Sequence, residues 1–135
     1  NRLVEEAGFE TARGRIKVDE YLRVPGYDDT FVIGDCSIVL NDEGRPYPPT
    51  AQMAVQQGEA LAHNLVATIR GTALKPFKFE SKGTVASLGK NEAIGIAFNR
   101  KFTGYKASLL KKIIDLRYLY TIGGIPLVLR KGHFN

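Results

Sequence analysis

With 135 residues, 44% of them hydrophobic and 24% charged, the chain is long enough for one ordinary domain or two small ones with a buried core. Its composition is that of a soluble globular protein, and no run approaches the roughly 20 apolar residues that a spanning helix needs. The net charge of +5 is unevenly placed: residues 1–98 carry 11 basic and 13 acidic side chains, residues 99–135 carry 8 and 1. A basic tail of this kind implies an acidic partner surface, with nucleic acid and anionic lipid the two common ones.

The opening NRLVEEAGFE has no charged start followed by an apolar stretch, so no secretory signal is expected and a cytoplasmic setting is the default. Cys36 is the only cysteine. It cannot pair within the chain, which fits a reducing compartment, and a small buried hydrophobe is the preferred reading over a redox role. Leu3, Val4 and Ala7 at helical spacing, with Gly8 as the stop, read as the end of a helix. Residues 14–26, GRIKVDEYLRVPG, alternate only partly and are interrupted by Asp19-Glu20, so two short extended pieces ending at Pro25-Gly26 are expected.

Phe31, Val32 and Ile33 then read as a strand covered on both faces, and Gly34 lets the backbone turn. This places Asp35 at the carboxyl end of a buried strand, where open α/β sheets bind ligands and where a carboxylate accepts hydrogen bonds from hydroxyls. A proline-rich loop of about fifteen residues follows, a length usual for functional or disordered loops. Pro49 and Thr50 open a helix that runs to Arg70 and stops at Gly71. Its apolar stripe is Ala51, Ala54, Val55, Gly58, Leu61, Ala62, Leu65, Val66 and Ile69. Gln52, Gln56 and Gln57 crowd its first turns, either as a solvated start or as a polar floor for a ligand carbonyl.

A composition shift at Lys75-Pro76 marks the one expected domain boundary, giving units 1–74 and 75–135. Beyond it, Phe77 and Phe79 alternate with Lys78 and Glu80, and residues 84–88 and Ala93 to Phe98 suggest two or three strands in hairpins, with turns at Ser81-Lys82-Gly83 and Gly89-Lys90-Asn91. Residues 104–120 return to helical period, with Leu109, Leu110, Ile113, Ile114, Leu116 and Tyr120 on one face and Lys111, Lys112 and Asp115 opposite. The following IGGIPLVLRK is apolar, too short to span, and broken by Gly123-Gly124 and Pro126. Two readings stay open: an interfacial anchor with snorkelling cations, or a helix packed by its apolar face on the small sheet.

Taken together these residues resemble a known family. GRIKVDEYLRVPGYDDTFVIGDCS resembles the second flavin-binding segment of the two-dinucleotide-binding-domain flavoproteins of the pyridine nucleotide-disulfide oxidoreductase superfamily. PPTAQMAVQQG is similar to the quinone-site segment of type II, non-proton-pumping NADH:quinone oxidoreductases. The resemblance implies an α/β fold, α+β within this chain: the remnant of a Rossmann-like FAD domain with a buried strand and a helix in residues 1–74, then a small antiparallel sheet with an amphipathic helix that seats the enzyme on the membrane in residues 75–135. The chain departs from the family in having no GxGxxG pyrophosphate cradle. It therefore looks like the carboxy-terminal third of such an enzyme, and by itself it is expected to be inactive.

The resemblance further implies the site residues. Gly34 and Asp35 would meet a flavin ribityl hydroxyl, and Ala51 and Gln52 would present backbone N–H groups to the pyrimidine edge of the isoalloxazine of FAD. Gln52 and Gln56 would line the pocket of a membrane quinone, with electrons arriving from NADH through FAD. Val55 fills a position that can carry a histidine in relatives, and no proton donor is assigned there. Membrane contact would fall to Lys106, Leu109, Leu110, Lys112, Ile113, Arg117, Leu127 and Arg130, on the cytoplasmic face of an anionic membrane as a peripheral protein.

No metal site and no nucleic-acid partner are expected, and a homo-oligomer is. The competing readings are a flavin-dependent reductase of another acceptor, ferredoxin- or disulfide-reductase-like, and a non-enzymatic basic binding domain. Cys36 stands alone and His63 and His133 have no catalytic context, which counts against a disulfide reductase. The basic tail adjoins an apolar stripe rather than a polar groove, which favours lipid over nucleic acid.

Overall fold

The computed structural model describes residues 2–89, 91–97 and 100–132. Phe98 and His133, and Lys90 of the expected turn, lie outside the described residues. The chain divides into two compact units, Asn1–Ser81 and Lys82–Asn135.

The first unit opens with helix α1 (Arg2–Glu6), ended by Gly8 at φ 77°. Strands β1 (Thr11–Ala12) and β2 (Arg15–Lys17) form an antiparallel hairpin, and Arg13 and Gly14 supply the two positive φ angles its tight turn demands. Strand β3 (Ser37–Ile38) lies parallel to β2, pairing Ile16 with Ser37 and Lys17 with Ile38. The Asp19-Glu20 interruption is a turn built around one carboxylate. Asp19 Oδ1 accepts from the Tyr21 and Arg23 amides at 2.9 and 2.8 Å, and Oδ2 accepts from Arg23 Nε at 3.2 Å. These bonds hold Leu22, 0% exposed, at φ 70°, a conformation that a bulky residue keeps only when its surroundings over-determine it.

The strand expected at Phe31–Ile33 is not there. Only Phe31 bridges to Arg23, and all three residues are half-buried. Their backbone is occupied by the preceding turn, with Val32 N donating to Leu22 O and Val24 N to Thr30 O. The buried strand of this region is β3, which follows Gly34 rather than preceding it. Nor is the proline-rich loop unstructured: it holds β3, a Leu40–Pro46 bridge, and a turn in which Asn41 Oδ1 accepts from the Glu43 and Arg45 amides at 3.0 and 2.8 Å.

Helix α2 (Ala51–Arg70) starts and stops where its signals stand. Thr50 Oγ1 accepts from Met53 N at 3.2 Å, and Gly71 caps the far end at φ 65°. Its buried side, however, is not the apolar stripe. Met53, Gln57, Asn64 and Ala67 are buried with Ala60 and Leu61 partly so, while Leu65 and Val66 are exposed and Ile69 is 85% exposed. Polar residues take the inner face because extended backbone lies against it. Asn64 holds Lys75 by both amide atoms, Nδ2 donating to the carbonyl and Oδ1 accepting from the N–H, each at 2.9 Å. Gln56 holds Glu80 in the same way at 2.9 and 3.0 Å.

Residues 75–80 are thus a strap stitched along α2, not a strand of the small sheet. Phe77 is buried in the core with Val4, Ile16, Val18, Leu22, Val24, Val39 and Met53, and Tyr47 meets both Phe77 and Phe79 edge-on. Between them Lys78 points outward to Asp42 at 2.9 Å, and this hydrogen bond raises the Lys78 pKa. The pair is exposed and adds little stability. The compact division falls after Ser81, six residues beyond the composition shift.

The second unit is an antiparallel meander of β4 (Gly83–Ser87), β5 (Ala93–Ala97) and β6 (Arg100–Thr103), followed by helix α3 (Gly104–Lys131). Small residues seat the helix close to the sheet: Ala93 and Ala97 of β5 and Ala107 and Ser108 of α3 are buried. The apolar stripe of α3 turns the other way, leaving Leu109, Ile113, Ile114, Tyr118 and Tyr120 exposed.

At Gly124 (φ 62°, ψ −162°) α3 breaks, and Pro126 lies in the first turn of the new segment, where its missing N–H does no harm. The new segment folds back. A Cβ built on Gly132 would stand 3.0 Å from Leu116 Cδ2, whereas sixteen residues of straight helix would separate the two positions by about 24 Å. Ile122, Ile125 and Leu129 are exposed around this hairpin turn. No helix among the described residues is long and apolar enough to cross a membrane.

Candidate functional site

Between the Phe31 bridge and β3 the chain makes one 3₁₀ turn, Gly34–Cys36. Gly34 sits at φ 68°, open to glycine and strained for any side chain. The turn rests on α2, since a Cβ built on Gly34 would meet Ala54 Cβ at 3.8 Å, ordinary contact. One turn further along the helix, Gln57 reaches it.

The Gly34 N–H can only donate, so it fixes the orientation of the Gln57 amide: Oε1 accepts that bond at 2.7 Å. Nε2 must then face Ser37, whose Oγ accepts at 3.0 Å, and the Ser37 hydroxyl in turn donates a hydrogen bond to Gly34 O at 2.9 Å. The three residues close a ring that holds both the N–H and the C=O of Gly34. Gln57 is 0% exposed and Ser37 is buried, so these bonds form away from competing water.

Asp35, next to the clamped glycine, is exposed. Ala51 is also exposed and Gln52 is half-buried at the start of α2, where the leading N–H groups of a helix lack intrahelical acceptors and the macrodipole is positive. The structure therefore packs the Gly34–Cys36 turn against the first two turns of α2, at Ala54 and Gln57. Gln56 faces differently. Its amide grips the Glu80 backbone, leaving only its second N–H for any other acceptor.

Of the eight residues expected at the membrane, Lys106, Leu109, Ile113, Arg117 and Arg130 are exposed, and Leu110, Lys112 and Leu127 are half-buried. Among the described residues no three His, Cys, Asp or Glu side chains are grouped to hold a metal ion. The clamp of Gln57 and Ser37 was not singled out by the sequence, where Gln57 stood only as one of three glutamines. Its spacing from Met53, Ala60, Asn64 and Ala67 is the signal that it shares their buried face.

Residues 1–58 match the family described as pyridine nucleotide-disulphide oxidoreductase. The type II NADH:quinone oxidoreductase of Staphylococcus epidermidis is 45% identical over 99% of the chain, and that of Staphylococcus aureus strain MSSA476 is 43% identical over the same share. The chain spans about a third of the length of these curated relatives, 34% in each case. A structure of NDH2 from Plasmodium falciparum in complex with NADH superposes with a TM-score of 0.64 over 85% of this chain and 40% of that one, at 16% identity, a likeness of fold. By sequence, then, residues 1–58 match the pyridine nucleotide-disulphide oxidoreductase family, and the chain is similar throughout its length to one third of the type II NADH:quinone oxidoreductases of these organisms.

Proposed function

We propose that this chain is the segment of a type II NADH:quinone oxidoreductase that closes one side of the FAD site, begins the quinone pocket and seats the enzyme on the membrane. The observation that carries the reading is the Gly34-Asp35 turn locked against the start of α2, in a chain similar over 99% of its length to such enzymes. FAD, when bound, supplies the two-electron chemistry that links a nicotinamide to a quinone. Asp35 accepts hydrogen bonds from its ribityl hydroxyls, and the Ala51 and Gln52 N–H groups with the α2 dipole favour negative charge at its pyrimidine edge.

Gln52 lines the quinone pocket with Gln56, whose remaining N–H donates to a quinone carbonyl. In this reading the flavin domain runs through the 75–80 strap, whose Phe77 lies in that domain's core, so the membrane-seating domain begins at Lys82 rather than at Lys75. A quinone analogue offered to the full-length enzyme against ferredoxin and disulfide acceptors tests this. Faster reduction of the quinone is expected, and a preference for a disulfide would overturn it.

The exposed apolar side of α3 beside Lys106, Arg117 and Arg130 supports a peripheral seat on an anionic, cytoplasmic-facing leaflet. Co-sedimentation of the 135-residue chain with phosphatidylglycerol vesicles is expected, with Arg117→Ala weakening it about fivefold, the worth of roughly 1 kcal/mol per cation at such a surface. DNA binding without vesicle binding would reverse the reading. The chain by itself is also expected to self-associate through exposed apolar surface such as Ile69, Ile94 and Ile96. Sedimentation velocity showing only monomer at high concentration would contradict that.

A further inference from the structure

We infer that Gln57 is the positioning residue of the flavin site: it sets the Gly34-Asp35 turn, through the ring it closes with Ser37, in the conformation that Asp35 needs to meet the ribityl chain. The inference rests on the reading of Asp35 as a flavin contact. Three facts about these side chains support it.

The first is that both heavy atoms of the buried amide are partnered. A fully buried glutamine spends Oε1 on the Gly34 N–H and Nε2 on Ser37 Oγ, and Gly34 O accepts from both the N–H and the hydroxyl of Ser37. Nothing in the ring is left to relax into another arrangement without orphaning a buried polar group.

The second is where the ring acts. It grips the peptide on both sides of Gly34, the residue at φ 68° immediately before Asp35, so the orientation of the Asp35 Cα–Cβ bond follows from it. The third is reach: these bonds join positions 20 and 23 residues apart in sequence, and they tie the carboxylate to the same helix whose first turn faces the pyrimidine edge. Gln57 therefore fixes the spacing between the two flavin contacts, not merely one of them.

This separates the three glutamines of the helix start. Gln52 stands at the ligand end, Gln56 divides its amide between strap and pocket, and Gln57 touches no ligand but aims the residue that does. Leucine at position 57 has a similar volume and can form neither bond, so Gln57→Leu leaves the Gly34 N–H orphaned and the turn free to drift.

The test is a double-mutant cycle on FAD affinity in the full-length enzyme that carries this segment. Apoenzyme is titrated with FAD, followed by quenching of flavin fluorescence, for wild type, Asp35→Ala, Gln57→Leu and the double variant. Each single variant is expected to weaken FAD binding ten- to hundredfold. The double variant should be no weaker than Asp35→Ala, because a residue that only aims Asp35 has nothing to aim once the carboxylate is gone.

Losses that multiply in the double variant would overturn the inference, since they would mark a general structural role for Gln57. Unchanged affinity in Gln57→Leu would overturn it as well. Unchanged affinity in Asp35→Ala would instead remove the flavin-contact reading beneath it. Should Gln57→Leu fail to fold, Ser37→Ala breaks the ring from its other side with a smaller change and enters the same cycle, where a smaller loss that also vanishes with Asp35→Ala is expected and an independent loss would overturn the inference.

Discussion

Gly95→Val is expected to abolish the ordered sheet of the second unit while residues 1–81 stay folded. Gly95 pairs with Val85 in the middle of the meander. A Cβ there would lie 2.5 Å from Thr84 O and 2.8 Å from Val85 Cα. Both are backbone atoms of the neighbouring strand, so relief requires the ladder to open rather than a side chain to move. The face toward the helix offers no room either, since Ala93, Ala97 and Ala107 are all buried.

Overpacking of this kind costs about 3 kcal/mol or more, most of what a unit of this size has to lose. Circular dichroism and limited proteolysis report it: protease resistance should vanish from the second unit alone. Ile96→Thr, on the exposed face of the same strand, should melt close to wild type. A Gly95→Val chain as protease-resistant as wild type would show that β4 and β5 do not pair in this register.

Asp35→Ala in the full-length enzyme should yield protein that is folded but loses its flavin on gel filtration. The carboxylate is exposed on its 3₁₀ turn, so its removal leaves packing intact. Hydrogen bonds to a charged acceptor contribute about 1.5–3 kcal/mol each, which corresponds to a weakening of FAD binding by about ten- to a hundredfold. NADH oxidation should fall with flavin content and recover when FAD is added in excess, the mark of weakened binding rather than damaged chemistry. Asp35→Asn keeps one acceptor oxygen and should fall between. Full flavin retention by the alanine variant would rule out Asp35 as a contact.

Much of the fold is legible in local chemistry. Thr50 and Gly71 bound α2 because a cap oxygen and a left-handed glycine act on their own neighbours. The β4–β5 hairpin follows from alternation and turn residues, though β6 (Arg100–Thr103) lies outside the segments that pattern marks, and the Gly124 break follows from two glycines and a proline within four positions. The errors have one cause in common. Hydrophobic period reveals which residues repeat along an element and says nothing about what that element meets.

On α2, Leu65, Val66 and Ile69 repeat at helical spacing and are exposed, while Gln57 and Asn64 are buried, because the Gly34 turn with Ser37 and the Lys75 backbone offer both heavy atoms of their amides hydrogen-bond partners. On α3, small residues win the sheet contact because alanine and serine let helix and sheet approach closely, and the large apolar side chains are left outside. Phe31–Ile33 looks like a strand by composition, yet the positive-φ turn at Leu22 takes up its backbone partners.

The site divides in the same way. The sequence by itself marked the residues proposed for the chemistry, Gly34, Asp35 and the glutamines at the start of α2, because backbone freedom, a carboxylate and a helix N-terminus are properties of residues and their immediate neighbours. Only the tertiary structure decided how they are held, that Gln57 and Ser37 clamp Gly34 and that Gln56 grips the Glu80 backbone of the strap, because these amides are defined by partners 20 or more residues away, which no local pattern records.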